Sequence, residues 1–194
     1  MIKNIFITGL PGCGKTSLLK EILEELKIPA RGFFTQEIRK GGERIGFEII
    51  TLTDKTGILS EKGFKSPYKV SKYGVILRDL EEIGVREIEE GLKEGALICV
   101  DELGSMELYS EKFKKVVLAI LDSKNKVLGT IMLKPNPFCD KIKEREDTQI
   151  FYLTRENREG IKRQMKKSFP LDPPTYFDYH RNGEVKLYQK AKIS

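Results

Sequence analysis

Several things are scarce in this chain, and each scarcity removes a class of function. Its 194 residues contain three cysteines, Cys13, Cys99 and Cys139. They are odd in number, widely spaced and without a C-x-x-C pair, which argues against a disulfide framework or a cysteine zinc site. They read instead as reduced, small apolar fillers. The single histidine, His180, sits in the C-terminal tail, where a surface role fits better than a catalytic one. No apolar run approaches the roughly 20 residues that cross a bilayer. The N-terminus leads straight into a core strand with no signal or transit segment, so the expectation is a cytoplasmic protein with no membrane partner. Repeats, low-complexity tracts and a convincing linker are missing too. The chain therefore reads as essentially one domain, long enough to bury a proper core.

What is present is charge. Charged residues make up 33% of the chain and hydrophobic ones 39%, with a net charge of +6. A basic balance suits a polyanionic ligand such as a nucleotide, and it leaves nucleic acid open as a partner. Yet the 35 Lys and Arg residues are spread among 29 acidic ones, which describes a solvated, mixed-charge surface.

The most informative segment is Ile5-Phe6-Ile7-Thr8-Gly9-Leu10-Pro11-Gly12-Cys13-Gly14-Lys15-Thr16-Ser17, an apolar run delivered into G-x-x-x-x-G-K-T. Leu18, Leu19, Ile22, Leu23 and Leu26 follow at helical spacing, so strand, loop and helix succeed one another as a phosphate-binding P-loop requires. Its glycines let backbone N–H groups turn inward around anionic oxygens, and the helix adds the positive end of its dipole. Lys15 is placed for the β- and γ-phosphates and the Thr16 hydroxyl for Mg²⁺.

Downstream, strand and helix alternate. Residues 31–39 and 45–52 read as a β-hairpin turning at 40–43, and 57–60 continue the meander, giving an insertion over about 31–60 that lies partly outside the main sheet. Residues 62–73 read as a mobile loop and 79–94 as an amphipathic helix. Ser110 caps another helix, 127–133 forms a strand and 138–146 a short charged helix. Strand 150–153 follows, then a helix capped by Thr154. Asn182-Gly183 between Tyr176–His180 and Val185–Gln189 signals a type I′ hairpin. Such alternation predicts an α/β fold, a mainly parallel sheet sandwiched by helices with ligand at the strands' C-terminal edge.

The run Leu97-Ile98-Cys99-Val100 ends at Asp101-Glu102, a Walker B strand end. Asp101 is placed to bind the P-loop magnesium, and Glu102 to orient and deprotonate a water attacking the γ-phosphate. Gly104 completes a D-x-x-G pattern whose amide is suited to sense that phosphate. Asn125-Lys126-Val127-Leu128 lacks the Asp of a guanine reader, which disfavours a dedicated GTP switch. Thr130 is a candidate polar sensor. For a cation that offsets transition-state charge the candidates are Arg145, Arg39, Arg44 and Arg78.

Four further segments accompany these motifs: Gly32-Phe33-Phe34-Thr35-Gln36-Glu37-Ile38-Arg39, Arg44-Ile45-Gly46-Phe47-Glu48-Ile49-Ile50-Thr51-Leu52, Val100-Asp101-Glu102-Leu103-Gly104-Ser105-Met106-Glu107-Leu108 and Leu153-Thr154-Arg155-Glu156-Asn157-Arg158. With them the chain resembles, over residues 2–168, the small P-loop nucleoside-triphosphatases of thermophilic bacteria and archaea, whose animal member is the cancer-related nucleoside-triphosphatase. The resemblance implies a three-layer P-loop NTPase fold of the RecA/AAA-like, additional-strand catalytic-Glu type. It also implies slow Mg²⁺-dependent hydrolysis of ATP, GTP and other nucleoside triphosphates to diphosphate and phosphate. Leu10 to Ser17 and Leu97 to Gly104 would hold nucleotide, and the Leu153 to Arg158 segment, with Asn157 as its candidate site residue, would approach the base. Ser105 stands where the family commonly has Lys, and Gln36 where it commonly has Glu. The P-loop domain spans 1–169 and a tail 170–194 carries the hairpin. A P-loop phosphotransferase and a nucleotide-gated nucleic-acid-binding module stay open as alternatives, the latter using Tyr176, Phe177 and Tyr179 as stacking platforms. A monomer or weak oligomer is expected.

Overall fold

Residues 1–169 are described by a computed structural model, together with the backbone of the strands Tyr176–Tyr179 and Val185–Tyr188. Those two strands pair antiparallel. Their connecting turn, with Asn182-Gly183 and His180, lies outside the described residues, as do the side chains of Tyr176, Phe177 and Tyr179.

The apolar runs form the strands β1 (Asn4–Thr8), β7 (Leu97–Leu103) and β8 (Val127–Ile131). With β2 (Ala30–Lys40) and β9 (Thr148–Tyr152) they make a five-stranded parallel core in the order β2-β7-β8-β1-β9. The P-loop strand β1 and the Walker B strand β7 are thus separated by β8. That inserted strand is the additional-strand arrangement, and the fold is a P-loop NTPase fold.

Period-two alternation supplies both faces of the sheet. Ile5 and Ile7 pack on one side with Leu18, Leu19 and Ile22 of α1 (Lys15–Leu26) and with Ile161 and Met165 of α6 (Arg158–Ser168). Phe6 and Val100 pack on the other. There they meet Ile88 of α3 (Arg86–Glu94), Phe113, Val117 and Ile120 of α4 (Glu111–Asp122), and Cys139 of α5 (Pro137–Lys143). Three layers result. Ser110 caps α4 as its sequence position predicts, accepting a 3.0 Å hydrogen bond from the Phe113 amide. Among the described residues no helix is long and apolar enough to cross a membrane, and all three cysteines are free thiols.

The expected insertion differs from the structure in placement. Strands β3 (Glu43–Thr51), β4 (Thr56–Lys62), β5 (Lys69–Val70) and β6 (Tyr73–Val75) do not lie outside the main sheet. They extend it antiparallel to nine strands, ordered β5-β6-β4-β3-β2 at that end. The reason is β2, which is long enough to pair with β7 from Ala30 to Phe33 and then with β3 from Phe33 to Lys40. Segment 62–73, expected as a loop, closes the sheet edge with β5 and the start of β6.

The helix expected over 79–94 runs as α2 (Leu77–Asp79), a π turn (Leu80–Val85) and α3. Gly91 weakens helix propensity but permits contact. A Cβ there would come within 2.5 Å of the Arg31 Cβ on β2, so glycine lets the helix lie against the sheet.

Candidate active site

Between β1 and α1 the chain turns through residues 9–14, and Gly14 takes φ 93° and ψ 24° as the residue capping α1. Glycine enters that region without the steric cost of a Cβ. No side chain caps the helix and its first turn carries no acidic residue, so the N–H groups and dipole of that turn are available to an anion. Lys15 folds back across the loop, its ammonium donating to the Gly9 and Leu10 carbonyls at 3.1 Å each. Leu10, Pro11, Gly12 and Ser17 are open to solvent, and Cys13 is half-buried.

Asp101, near the end of β7, is 1% exposed. The Thr16 hydroxyl of the P-loop donates to its Oδ2 at 2.8 Å, and the Thr130 hydroxyl of the intervening β8 donates to its Oδ1 at 2.9 Å. The Thr35 amide on β2 donates to it as well. Burial pushes this carboxyl above its usual range, and those hydrogen bonds with the Lys15 charge oppose the push. Three neighbouring strands and the P-loop helix thereby meet at one carboxylate.

Strand β7 bulges one residue later. Asp101 faces Thr130 and Leu103 faces Ile131, which leaves Glu102 as the extra residue, at φ 141°. A bulge re-aims a side chain, and a non-glycine residue at such a φ is strained. Here it sends the Glu102 carboxylate into a cavity of about 280 Å³, whose lining includes Thr35, Arg44, Phe47, Tyr73, Ser105 and Glu107. Crowding by protein and the Asp101 charge raise the Glu102 pKa, and Lys15 opposes them. Gly104 sits against this side chain. A Cβ at Gly104 would lie 2.8 Å from Glu102 Oε1.

The structure thus brings Lys15, Thr16, Asp101, Glu102, Gly104 and Thr130 to the C-terminal edge of the parallel strands. It does not bring Arg145 there. Thr148, three residues beyond Arg145, pairs with Asn4 at the start of β1, so Arg145 lies at the opposite edge, about 16 Å away for a five-residue strand. Its guanidinium is held by Asp122, Asp147 and the Leu121 carbonyl. Asn157 also has local work. Its Oδ1 accepts from the Thr154 amide at 2.8 Å and its Nδ2 donates to the Tyr152 carbonyl at 2.9 Å. Thr154 in turn accepts from the Asn157 amide at 3.3 Å, a reciprocal cap that starts α6 at Arg158 rather than directly after Thr154.

Asn125 is buried at the start of β8, donating to the Gly91 and Ala96 carbonyls, again at the edge away from the P-loop. Arg39 and Arg78 form exposed pairs with Glu37 and Asp79. Of the four arginine candidates, Arg44 alone shares the cavity with Glu102. Thr35, Tyr73 and Glu107 escaped the reading of the sequence because nothing in their spacing marks them. The only signal was that Thr35 and Glu107 fall inside segments carrying the family resemblance.

The oxygen donors suit a divalent cation arriving with a triphosphate. A buried carboxylate next to a threonine hydroxyl is the sparse, hard set that Mg²⁺ takes together with phosphate oxygens and water. Among the described residues no group of three or more His, Cys, Asp or Glu is placed to cage a resident metal.

Comparison with known proteins agrees with this geometry. A family model described as NTPase matches residues 4–165. The nucleoside-triphosphatase THEP1 of Thermotoga maritima is 51% identical over 158 residues, covering 81% of this chain and 90% of the relative. The human cancer-related nucleoside-triphosphatase is 37% identical over 177 residues, covering 83% and 93%. The crystal structure of THEP1 from the hyperthermophile Aquifex aeolicus superposes with a TM-score of 0.79 at 37% identity, covering 86% of this chain and 99% of that one. For the solution structure of the human cancer-related nucleoside triphosphatase the TM-score is 0.75 at 33% identity, with coverages of 87% and 97%. By sequence and by fold, the chain belongs to the NTPase family.

Proposed function

We propose that the protein hydrolyses nucleoside 5′-triphosphates to nucleoside diphosphate and phosphate, with Mg²⁺ bound through Thr16, Asp101 and the substrate. The observation that carries this is the Thr16–Asp101–Thr130 hydrogen-bond chain, which ties the phosphate loop to the strand end bearing Glu102. Residues 1–169 form the catalytic unit in this reading.

The loop from Gly9 to Ser17 binds the phosphates through its backbone N–H groups, Pro11 having none to offer, and the Lys15 ammonium exchanges its loop carbonyls for phosphate oxygens. Glu102 orients a water and accepts its proton. The water oxygen bonds to the γ-phosphorus, the bond to the β,γ-bridging oxygen breaks, and the diphosphate leaves. Mg²⁺, when bound, neutralises charge on the β- and γ-oxygens. Thr130 and the Thr35 amide hold Asp101 in place for this, while the Gly104 amide, the expected γ-phosphate sensor, is taken up by the Glu107 carboxyl. Because these contacts address phosphates rather than the base, ATP, GTP and the pyrimidine nucleotides should all serve. The free thiols and the charge-rich surface support a cytoplasmic setting.

A turnover panel tests this reading. ATP, GTP, CTP and UTP should each yield diphosphate and phosphate at rates within about tenfold of one another, and chelation of divalent ions should abolish release. Release of pyrophosphate, or no turnover of any of the four, would overturn the proposal.

A further inference from the structure

Hydrolysis needs room for one attacking water, whose share of liquid volume is about 30 Å³. The cavity in front of Glu102 is about 280 Å³, space for roughly nine. Its walls are also chemically specific.

One side is apolar, built from Phe47, Leu59, Val70 and Met106. Tyr73 meets Phe47 edge-on, with ring centroids 5.6 Å apart. The Arg44 guanidinium lies 5.0 Å from the Phe47 ring centroid and 5.5 Å from that of Tyr73. Its Nε donates to the Tyr73 hydroxyl at 3.0 Å and its Nη1 to Glu37 at 2.7 Å. The planar cation is thereby fixed, and its Nη2 has no hydrogen bond among the described residues. Lys72, paired with Glu43 at 3.3 Å, adds a second positive charge to the lining. Beside Glu102, the Glu107 carboxyl is 2% exposed and held by the amides of Gly104 and Glu107 itself. Pre-ordered cations over aromatic walls, opening onto a base, form a ligand pocket rather than a water channel.

We infer that this cavity is a second-substrate pocket, taking a small hydroxyl-bearing anion (a phosphate monoester or carboxylate with a ring or short carbon skeleton) as phosphoryl acceptor. The inference rests on the proposed triphosphate site and adds what lies across Glu102 from it. The ligand's anionic group pairs with Arg44 and Lys72, its body packs on Phe47 and Tyr73, and its hydroxyl reaches Glu102. The hydroxyl oxygen then bonds to the γ-phosphorus while the bond to the β,γ-bridging oxygen breaks. The proton passes to Glu102, the diphosphate leaves, and the acceptor departs as a phosphate ester. Water is the default acceptor when the pocket holds no other.

The full chain, Mg²⁺ and γ-³²P-ATP are incubated separately with ribose 5-phosphate, glycerol 3-phosphate, uridine 5′-monophosphate and glycerate, with uridine as an uncharged control. Label should appear in an organic ester with at least one anionic acceptor at ten or more times the rate of phosphate release, and less with uridine. In Arg44→Gln the ratio of ester to free phosphate should fall at least tenfold, with a raised KM for the acceptor. Label recovered only as inorganic phosphate with all four anions would overturn the pocket assignment and leave the hydrolase reading standing. An equal ester-to-phosphate ratio in Arg44→Gln would overturn it too. Failure to consume ATP at all would sink the triphosphate site itself.

Discussion

Replacing Gly104 by alanine separates the position of Glu102 from everything else in the site. Gly104 has no positive φ, so alanine fits its backbone, and the amide that holds the Glu107 carboxyl is retained. The added Cβ would stand 2.8 Å from both Cγ and Oε1 of Glu102 and 3.0 Å from Cδ, whereas ordinary van der Waals contact begins at 3.4 Å. The flexible Glu102 side chain must therefore retreat by about 0.6 Å, the difference between 3.4 and 2.8 Å. Misplacement of a reacting group by about 1 Å can cost about 100-fold. A loss of roughly 10- to 30-fold in kcat is expected, about 1.4 to 2 kcal/mol of barrier. Phosphate release measures kcat, nucleotide titration measures Kd, and a thermal melt measures stability. Only kcat should move, since the P-loop is untouched and the displaced group is the end of a side chain. An unchanged kcat would refute the claim that Glu102 must sit where the bulge puts it. A kcat loss accompanied by an equal loss of nucleotide affinity would refute the separation of binding from base.

Further outcomes follow from the surrounding contacts. Arg145→Ala should leave kcat within about twofold and cost about 1 kcal/mol of stability, because its contacts with Asp122, Asp147 and Leu121 lie at the far edge of the sheet; a tenfold fall in kcat would contradict that placement. Arg31→Met should destabilise by about 2 kcal/mol in denaturant titration. It strips a partner from Glu87, which is 1% exposed and otherwise keeps Thr53 and Lys55. On α1, hydrogen bonds from Lys162 and Lys166 of α6 lower the Glu25 pKa from 4.5 to about 2. Because the folded value is the lower one, this clamp is fully present above about pH 4.5 and is lost as pH falls toward 2. Melting temperature should accordingly fall more steeply with acid in the natural chain than in Glu25→Gln, and parallel slopes would contradict the clamp.

The parallel core was legible because its signals are local. Buried parallel strands are continuous apolar runs, the P-loop is a contiguous motif, and Asp101-Glu102 directly follows the Leu97–Val100 run. What stayed hidden depends on pairing between distant segments. That β2 serves both β7 and β3, and so carries the hairpin into the main sheet, is a matter of register that no single segment records. Residues 69–75 gain strand structure only because β4 offers an edge. Arg145 follows a helix at short range and looked available. Strand direction alone sends it to the wrong end of the sheet. Glu102 was found from its place after Asp101, yet the bulge that aims it arises from pairing with β8. The cavity beyond it is assembled from β2, β3, β4, β5, β6 and the turn after β7, six pieces with no common motif.

The central claim is that Glu102 is the base of a site whose phosphate cradle works independently of it. Steady-state phosphate release by Glu102→Gln, paired with a nucleotide Kd measured on the same preparation, tests it most directly. Turnover should fall at least 100-fold while Kd stays within about threefold. Turnover at the rate of the natural chain would contradict the account.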